Sequence, residues 1–375
     1  MIRPASFIKT TPLYILIFFL LLLASLLQKT LGKNYTDTLI FFAFPGLISG
    51  TLFQIYPTLQ GHPFRGEPLI YVHLVVWFIN LLFYFLKGSV NPYAYLLLSS
   101  IHTVLVLLNT RKIKDSVVLF FLTGSLFYLL AGVLIKENPI FVKHLITVGY
   151  FMPVIVGSYY VFVPMLQIEE LTKRGLIWLN LLLQLASSVL VPLFWYISDY
   201  TLLSYSGTLL LLSVGTLSYS VYHMLSQRKS PLKGLDVSVQ FFILGLFMCW
   251  FFLLVGVLTA GSGNFGFFQL HSDGMLYGFL TTISVGASYH IIPFLLWWRR
   301  YAPRMGKEKV PILKEVLNIS VVKKLLILLP PLTTGLFFGD MVNPYVEKAF
   351  SLALFLLLGY YTVKIFPLVL KTLKS

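Results

Sequence analysis

Gly50-Thr51-Leu52-Phe53-Gln54-Ile55-Tyr56-Pro57, Gly157-Ser158-Tyr159-Tyr160-Val161-Phe162-Val163-Pro164 and Gly286-Ala287-Ser288-Tyr289-His290-Ile291-Ile292-Pro293 are one eight-residue pattern written three times. The shared order is Gly, small, any, aromatic, any, apolar, apolar, Pro. A Gly-x6-Pro pair alone carries little, because 26 glycines and 19 prolines produce about one by chance at near-average usage. The matched small and aromatic positions lift the three copies above that background. Each copy lies toward the far end of a long apolar stretch, and successive copies are four apolar stretches apart. The chain therefore reads as a four-helix unit used three times.

Composition settles the broad class. Hydrophobic residues make up 58% and charged residues 11%, more apolar surface than a soluble core needs, so an all-α polytopic membrane protein is predicted. Runs of about twenty apolar residues cross the hydrocarbon as helices. Twelve are read, near 12–27, 37–58, 69–87, 93–109, 116–135, 144–166, 175–197, 201–224, 237–259, 271–298, 321–338 and 346–370. They are numbered here as spans 1 to 12. The whole of 1–375 forms a single membrane domain, with repeat units over roughly 12–109, 116–224 and 237–370. Span 1 reads as an anchor, since no small-residue cleavage site follows Leu26-Leu27-Gln28.

The net charge of +15 is a topology signal. With the N-terminus inside, only Lys29, Lys33, Lys87, Lys136, Lys143 and Lys348 fall outside, leaving 22 of the 28 Lys and Arg inside. The positive-inside rule then fixes the orientation, in a cell's inner (cytoplasmic) membrane, with anionic lipid headgroups attracted to the basic side. Nucleic-acid binding needs a basic soluble surface with stacking aromatics, and none is present. Cys249 stands alone, which excludes an internal disulfide and a thiolate metal cluster. Gly261-Ser262-Gly263-Asn264-Phe265-Gly266 has dinucleotide-fingerprint spacing but sits between two spans with no strand before it, and no Walker loop occurs. Only the 299–320 connection is long enough to hold a surface helix, over Val310–Val316.

The repeats land on spans 2, 6 and 10. Ser272, Asp273, Thr281, Thr282, Ser284, Ser288 and His290 are too many polar groups for a lipid face. Gly149, Gly157, Gly278 and Gly286 admit a close neighbour, either another helix or a flat ligand. His144 opens span 6 and His271 opens span 10 in this reading. Aligned on the Gly-x6-Pro motif, His144 corresponds to Asp37 in span 2 and Asp273 in span 10. Two imidazoles at one depth on equivalent helices suit a haem iron or a copper; as helix-end residues they equally suit water and headgroups. His290, beside Tyr289, is 19 residues after His271, about 28 Å along the helix. One small metal site cannot use both, so an inner site would draw on His290, His73 and His223. His102, in the middle of span 4, calls for a hydrogen-bonding partner on a neighbouring helix.

Twelve spans, a four-helix step and histidines on spans 6 and 10 resemble the haem-copper oxidase subunit I superfamily. His144-Leu145-Ile146-Thr147-Val148-Gly149 and Tyr289-His290-Ile291-Ile292-Pro293-Phe294-Leu295-Leu296-Trp297-Trp298 are similar to its divergent, oxidase-like branch, which resembles the NnrS family associated with nitric oxide stress. The resemblance implies a haem site in the outer half, held by histidines on the second, sixth or tenth span, with His144 and His271 as cofactor-binding residues there and His290 as a cofactor-binding residue nearer the inner face. His144 and His271 would also be the ligands of a metal such as copper, and Asp37, Asp273 and Tyr289 would support them. It implies respiratory electron transfer, or binding of or response to a small gas ligand such as nitric oxide or oxygen, beside a respiratory-chain partner. The departures are specific. Span 2 lacks the low-spin haem histidine, the tenth-span His-x-His pair is His271-Ser272-Asp273, and span 7 has no copper histidines. A complete oxygen reductase is therefore not expected; at most the chain is a divergent cytochrome oxidase-like oxidoreductase. The alternative is a cofactor-free transporter or assembly partner on the same scaffold.

Overall fold

The computed structural model describes residues 8–170, 173–229 and 234–374. Every regular element among them is helical. Among the described residues, eleven helices are long and apolar enough to cross a membrane: Thr11–Thr30, Thr38–Gln60, Glu67–Lys87, Ser116–Val133, Pro139–Gln167, Arg174–Tyr196, Tyr200–Ser226, Val237–Ser262, Phe265–Arg300, Ile319–Gly339 and Pro344–Lys374. The shorter apolar helix Pro92–Leu108 stands at the place of span 4. These are the twelve predicted stretches, and the chain is a multi-pass membrane protein.

The helix starts follow local chemistry. Asn91 Oδ1 accepts from the N–H groups of Tyr93 and Ala94, with Pro92 opening span 4. Asp115 and Asp199 cap spans 5 and 8 in the same way. Each supplies an acceptor to a backbone donor that the helix itself cannot satisfy, and proline at the first position costs no hydrogen bond. The same rule corrects the predicted starts of spans 6 and 10. Asn138 caps a helix opening at Pro139, and Asn264 caps a 3-10 turn at Phe265–Phe267 that leads into span 10. His144 and His271 thus lie inside their spans, more than a turn from the first residue, rather than opening them. The 299–320 connection carries short helical turns at Ala302–Arg304 and Leu313–Val316, and no strand adjoins the Gly261–Gly266 stretch.

The chain divides into two compact units. The first comprises Met1–Ile8, Ile40–Gly234 and Leu253–Phe268; the second comprises Lys9–Leu39, Leu235–Phe252 and Gln269–Ser375. The interior of the first is aromatic and polar, with Trp77, Tyr95, Tyr128 and Tyr150 fully buried among His102, Asn180 and Gln184. In the second, span 12 packs along spans 1 and 11, with Tyr14, Phe18, Phe19, Tyr277 and Tyr361 fully buried.

Candidate functional site

Spans 2, 6 and 10 share a feature found in no other described helix. Each contains a π-helical segment, Thr38–Ala43, Leu145–Phe151 and Gly274–Leu280, before continuing as an α-helix through its Gly-x6-Pro motif. Such segments hold well under 1% of residues in ordinary proteins and concentrate at functional sites. The residue immediately before each one is Asp37, His144 or Asp273. These are the three positions that the sequence motif aligns. Side chains also donate to carbonyls of these segments. Trp77 Nε1 of span 3 donates to the Phe42 carbonyl at 3.2 Å. In span 6 the Val148 carbonyl accepts from Ser188 Oγ at 3.0 Å and Gln184 Nε2 at 3.2 Å, both from span 7. In span 10 the Leu276 carbonyl accepts from Thr281 Oγ1 at 2.9 Å.

In the first unit, half-buried His144 lies against Trp195, ring centroids 5.3 Å apart. Tyr200, Phe265 and Phe268 surround that tryptophan. His144 Nδ1 is 2.8 Å from the Ile140 carbonyl. In the second unit, His271 Nδ1 is 2.7 Å from the Phe252 carbonyl. A carbonyl only accepts, so Nδ1 carries the proton in both rings and the lone pair resides on Nε2. That is the arrangement by which metal-binding histidines are oriented, one nitrogen donating to a carbonyl and the other directed at the metal. The donor chemistry of both residues therefore fits a haem or copper ligand. Asp37, half-buried in the helical turn that opens span 2, differs: its Oδ2 accepts from Asn34 Nδ2 at 2.8 Å.

Asp273 heads a buried ion cluster in the second unit that sequence reasoning missed. Lys29 Nζ of span 1 lies 2.8 Å from Asp273 Oδ2 and also pairs with Glu347 of span 12. Tyr35 donates its hydroxyl to Asp273 Oδ1. Gln269 Nε2 donates to Asp273 Oδ2 at 3.1 Å and to the Tyr35 oxygen at 2.7 Å. Three donors thus meet the Asp273 carboxylate. Burial, and the Asp273 charge beside it, push the Tyr35 phenol far above the ordinary tyrosine range. The available signal was a charged residue toward one end of each of spans 1, 10 and 12, namely Lys29, Asp273 and Glu347.

The remaining histidines are engaged elsewhere. Ser125 donates its proton to the Phe121 carbonyl, so its oxygen accepts from His102 Nε2 at 3.2 Å. His102 Nδ1 then accepts from Ser49 Oγ at 2.9 Å, and Ser49 from the Tyr150 hydroxyl at 3.2 Å. Both ring nitrogens of His102 are consumed by this chain across spans 2, 4, 5 and 6, as predicted for a mid-span imidazole. His73 packs on Phe53 and His102, His223 on Tyr219, and His290 on Phe294. Asp236 acts electrostatically on both His290 and buried Tyr289. Among the described residues no three His, Cys, Asp or Glu side chains converge as a metal site. The four glycines face protein. A Cβ at Gly149 would lie 2.6 Å from the Phe127 ring, at Gly157 3.0 Å from Phe120 Cβ, at Gly278 3.1 Å from Phe252 and at Gly286 2.6 Å from Phe241 Cβ. Their role is close helix packing.

No family model and no curated protein matches the chain.

Proposed function

We propose that the chain is a haem-binding integral membrane protein related to haem-copper oxidase subunit I, acting in respiratory electron transfer or in the binding of a small gas such as nitric oxide. His144 and His271 bind through Nε2, and copper is a second metal that the same donors suit. The observation that carries this reading is the shared tautomer: in each ring a backbone carbonyl holds Nδ1–H and leaves the lone pair on Nε2. The chain supplies orientation, the Ile140 and Phe252 carbonyls fixing the two rings and Trp195 backing His144 with an apolar face. A haem bound there supplies an iron for one-electron chemistry or a diatomic ligand. The π segments at one register in spans 2, 6 and 10 support three pseudo-repeated four-helix units. The charge asymmetry supports a cytoplasmic-membrane location with the N-terminus inside.

The test is a reduced-minus-oxidised absorption spectrum of the purified full chain, with His144→Ala and His271→Ala beside it. A Soret band with stoichiometric haem, abolished or reshaped in each variant, is the expected result. Unchanged spectra in both variants overturn the ligand assignment. A colourless preparation, with haem supplied during expression, overturns the cofactor. A second reading, a cofactor-free transporter or assembly partner, is favoured by one observation: phenylalanines already occupy the space beside Gly149, Gly157, Gly278 and Gly286.

A further inference from the structure

At the end of the second unit where span 10 leaves the bundle, two lysines from different helices converge on one ring. Lys324 of span 11 places Nζ 5.9 Å from the Tyr360 ring centroid, and Lys364 of span 12 places Nζ 5.5 Å from the same centroid. Both are within reach of the ring's negative face. Both lysines are exposed and Tyr360 is 37% exposed. Among the described residues neither ammonium is in an ion pair. Two uncompensated like charges gathered at one aromatic ring repel each other, and an anion between them relieves that cost.

The position along the helices says which anion. Lys324 is five residues into Ile319–Val342, roughly 8 Å from its first residue at the α-helical rise. That is the depth at which a long basic side chain lifts its head toward a lipid phosphate. Ile327 and Leu328, three and four residues further along, share the face of Lys324 and are 69% and 44% exposed. Leu356, four residues before Tyr360 and therefore deeper on its face, is 62% exposed. Both helices thus show basic groups at one level and bare aliphatic side chains immediately beneath. That is the profile of a phospholipid, headgroup above and acyl chain below.

We propose that Lys324, Tyr360 and Lys364 form a binding site for an anionic phospholipid, the two ammonium groups and the phenol holding the phosphate and Ile327, Leu328 and Leu356 lying along an acyl chain. This site is independent of any cofactor and goes beyond the general attraction of a basic membrane face. The nearby connection, with exposed Arg300, Arg304, Lys307 and Lys309, supplies the general attraction and serves as the control.

The experiment uses the full chain in nanodiscs of phosphatidylcholine doped with phosphatidylglycerol, with retained lipid counted by native mass spectrometry. Lys324→Gln with Lys364→Gln is compared with Lys307→Gln with Lys309→Gln. Removing two basic residues at the headgroup lowers retention of the anionic lipid by about 30-fold, while the loop variant keeps it. Equal retention in the Lys324/Lys364 variant, equal loss in the loop variant, or equal retention of phosphatidylcholine by the wild type overturns the proposal. So does displacement by millimolar inorganic phosphate, which would mark a site for a free anion. Because both lysines are exposed, an unchanged thermal melt of the variant confirms that lipid loss is not unfolding.

Discussion

Replacing Lys29 with methionine tests the ion cluster most directly. The substitution keeps an unbranched stem as far as Cε and removes the ammonium that faces both Asp273 and Glu347. The side chains of Lys29 and Asp273 are each only 3% exposed, whereas that of Glu347 is 17% exposed. Removing one partner of a buried pair costs about 3–5 kcal/mol, because the other charge stays buried without compensation. Here the lower end of that range applies. Tyr35 and Gln269 still donate to Asp273, and water reaches Glu347. We expect Lys29→Met to destabilise the protein by about 3 kcal/mol, and Asp273→Asn by less, since it leaves Lys29 paired with Glu347. The double variant no longer buries an orphaned Asp273 charge, so the two effects fall short of additivity by at least about 1 kcal/mol. The chain carries its own reporter. Cys249 is its one cysteine and is fully buried in the second unit. Labelling by a thiol-reactive fluorophore during a thermal ramp therefore reads the opening of that unit. A Lys29→Met melt superimposable on wild type, or single effects that add, would refute the reasoning.

Three further outcomes are expected. Gly286→Ala destabilises and is not rescued by shortening Phe241, because the clash is with Phe241 Cβ at 2.6 Å; Gly278→Ala meets the Phe252 ring at 3.1 Å and the Phe337 ring at 3.2 Å and is rescued only when both are shortened to leucine, each overpacking effect being worth about 1–3 kcal/mol by thermal melt. Deleting Thr147 from the π segment of span 6 converts it to an α-turn and confines the misalignment to the helix start, so the variant is recovered folded; deleting Ile155 from the α-helical part is not tolerated, and equal yields of monodisperse protein would contradict this. The third concerns alkaline pH. The Tyr35 phenol is raised in the folded state, so its contribution is full below the ordinary tyrosine value of about 10 and is lost as pH rises beyond it. The stability gap between wild type and Tyr35→Phe, followed by tryptophan fluorescence melts, should be constant below that value and narrow above it.

The spans were legible because the hydrocarbon imposes a length and an apolar content on each helix independently of its neighbours. The starts of spans 6 and 10 were misread because hydropathy weights Asn138-Pro139 and Asn264 as breaks, whereas in a helix they act as a cap with a first-turn proline and as a cap. His102 announced its need of a partner by its place in an apolar run, but Ser49, Ser125 and Tyr150 are ordinary residues in helices 23 to 53 positions away. The Lys29 cluster was the least legible. Lysine in the last turn of a span is read as an interface residue, and nothing local links it to an aspartate 244 positions later. Pattern finds what each helix needs; pairing across helices is set by packing.

The π segments bear on the proposed repeat. A π turn inserts one residue into an α-helix, so the part before it is rotated relative to the part after it. In an isolated helix the insertion wastes hydrogen bonds, and it persists only where packing or a ligand recovers the loss. Spans 2 and 6 recover it with side chains from the next span, an indole in one and a serine and an amide in the other. Span 10 uses a threonine of its own. The partners differ, yet the insertion begins at the same motif-aligned residue each time. A feature kept at one register while its supporting side chains vary is explained by what it aims rather than by what stabilises it. What it aims is the residue before it: Asp37 bonded to a turn asparagine, His144 against a tryptophan, Asp273 clasped by a lysine. One position has been given three chemistries, and only the span 6 copy offers an imidazole there. At the aligned position a metal ligand would therefore come from His144 in span 6, whereas in span 10 the imidazole, His271, stands two residues before the aligned Asp273.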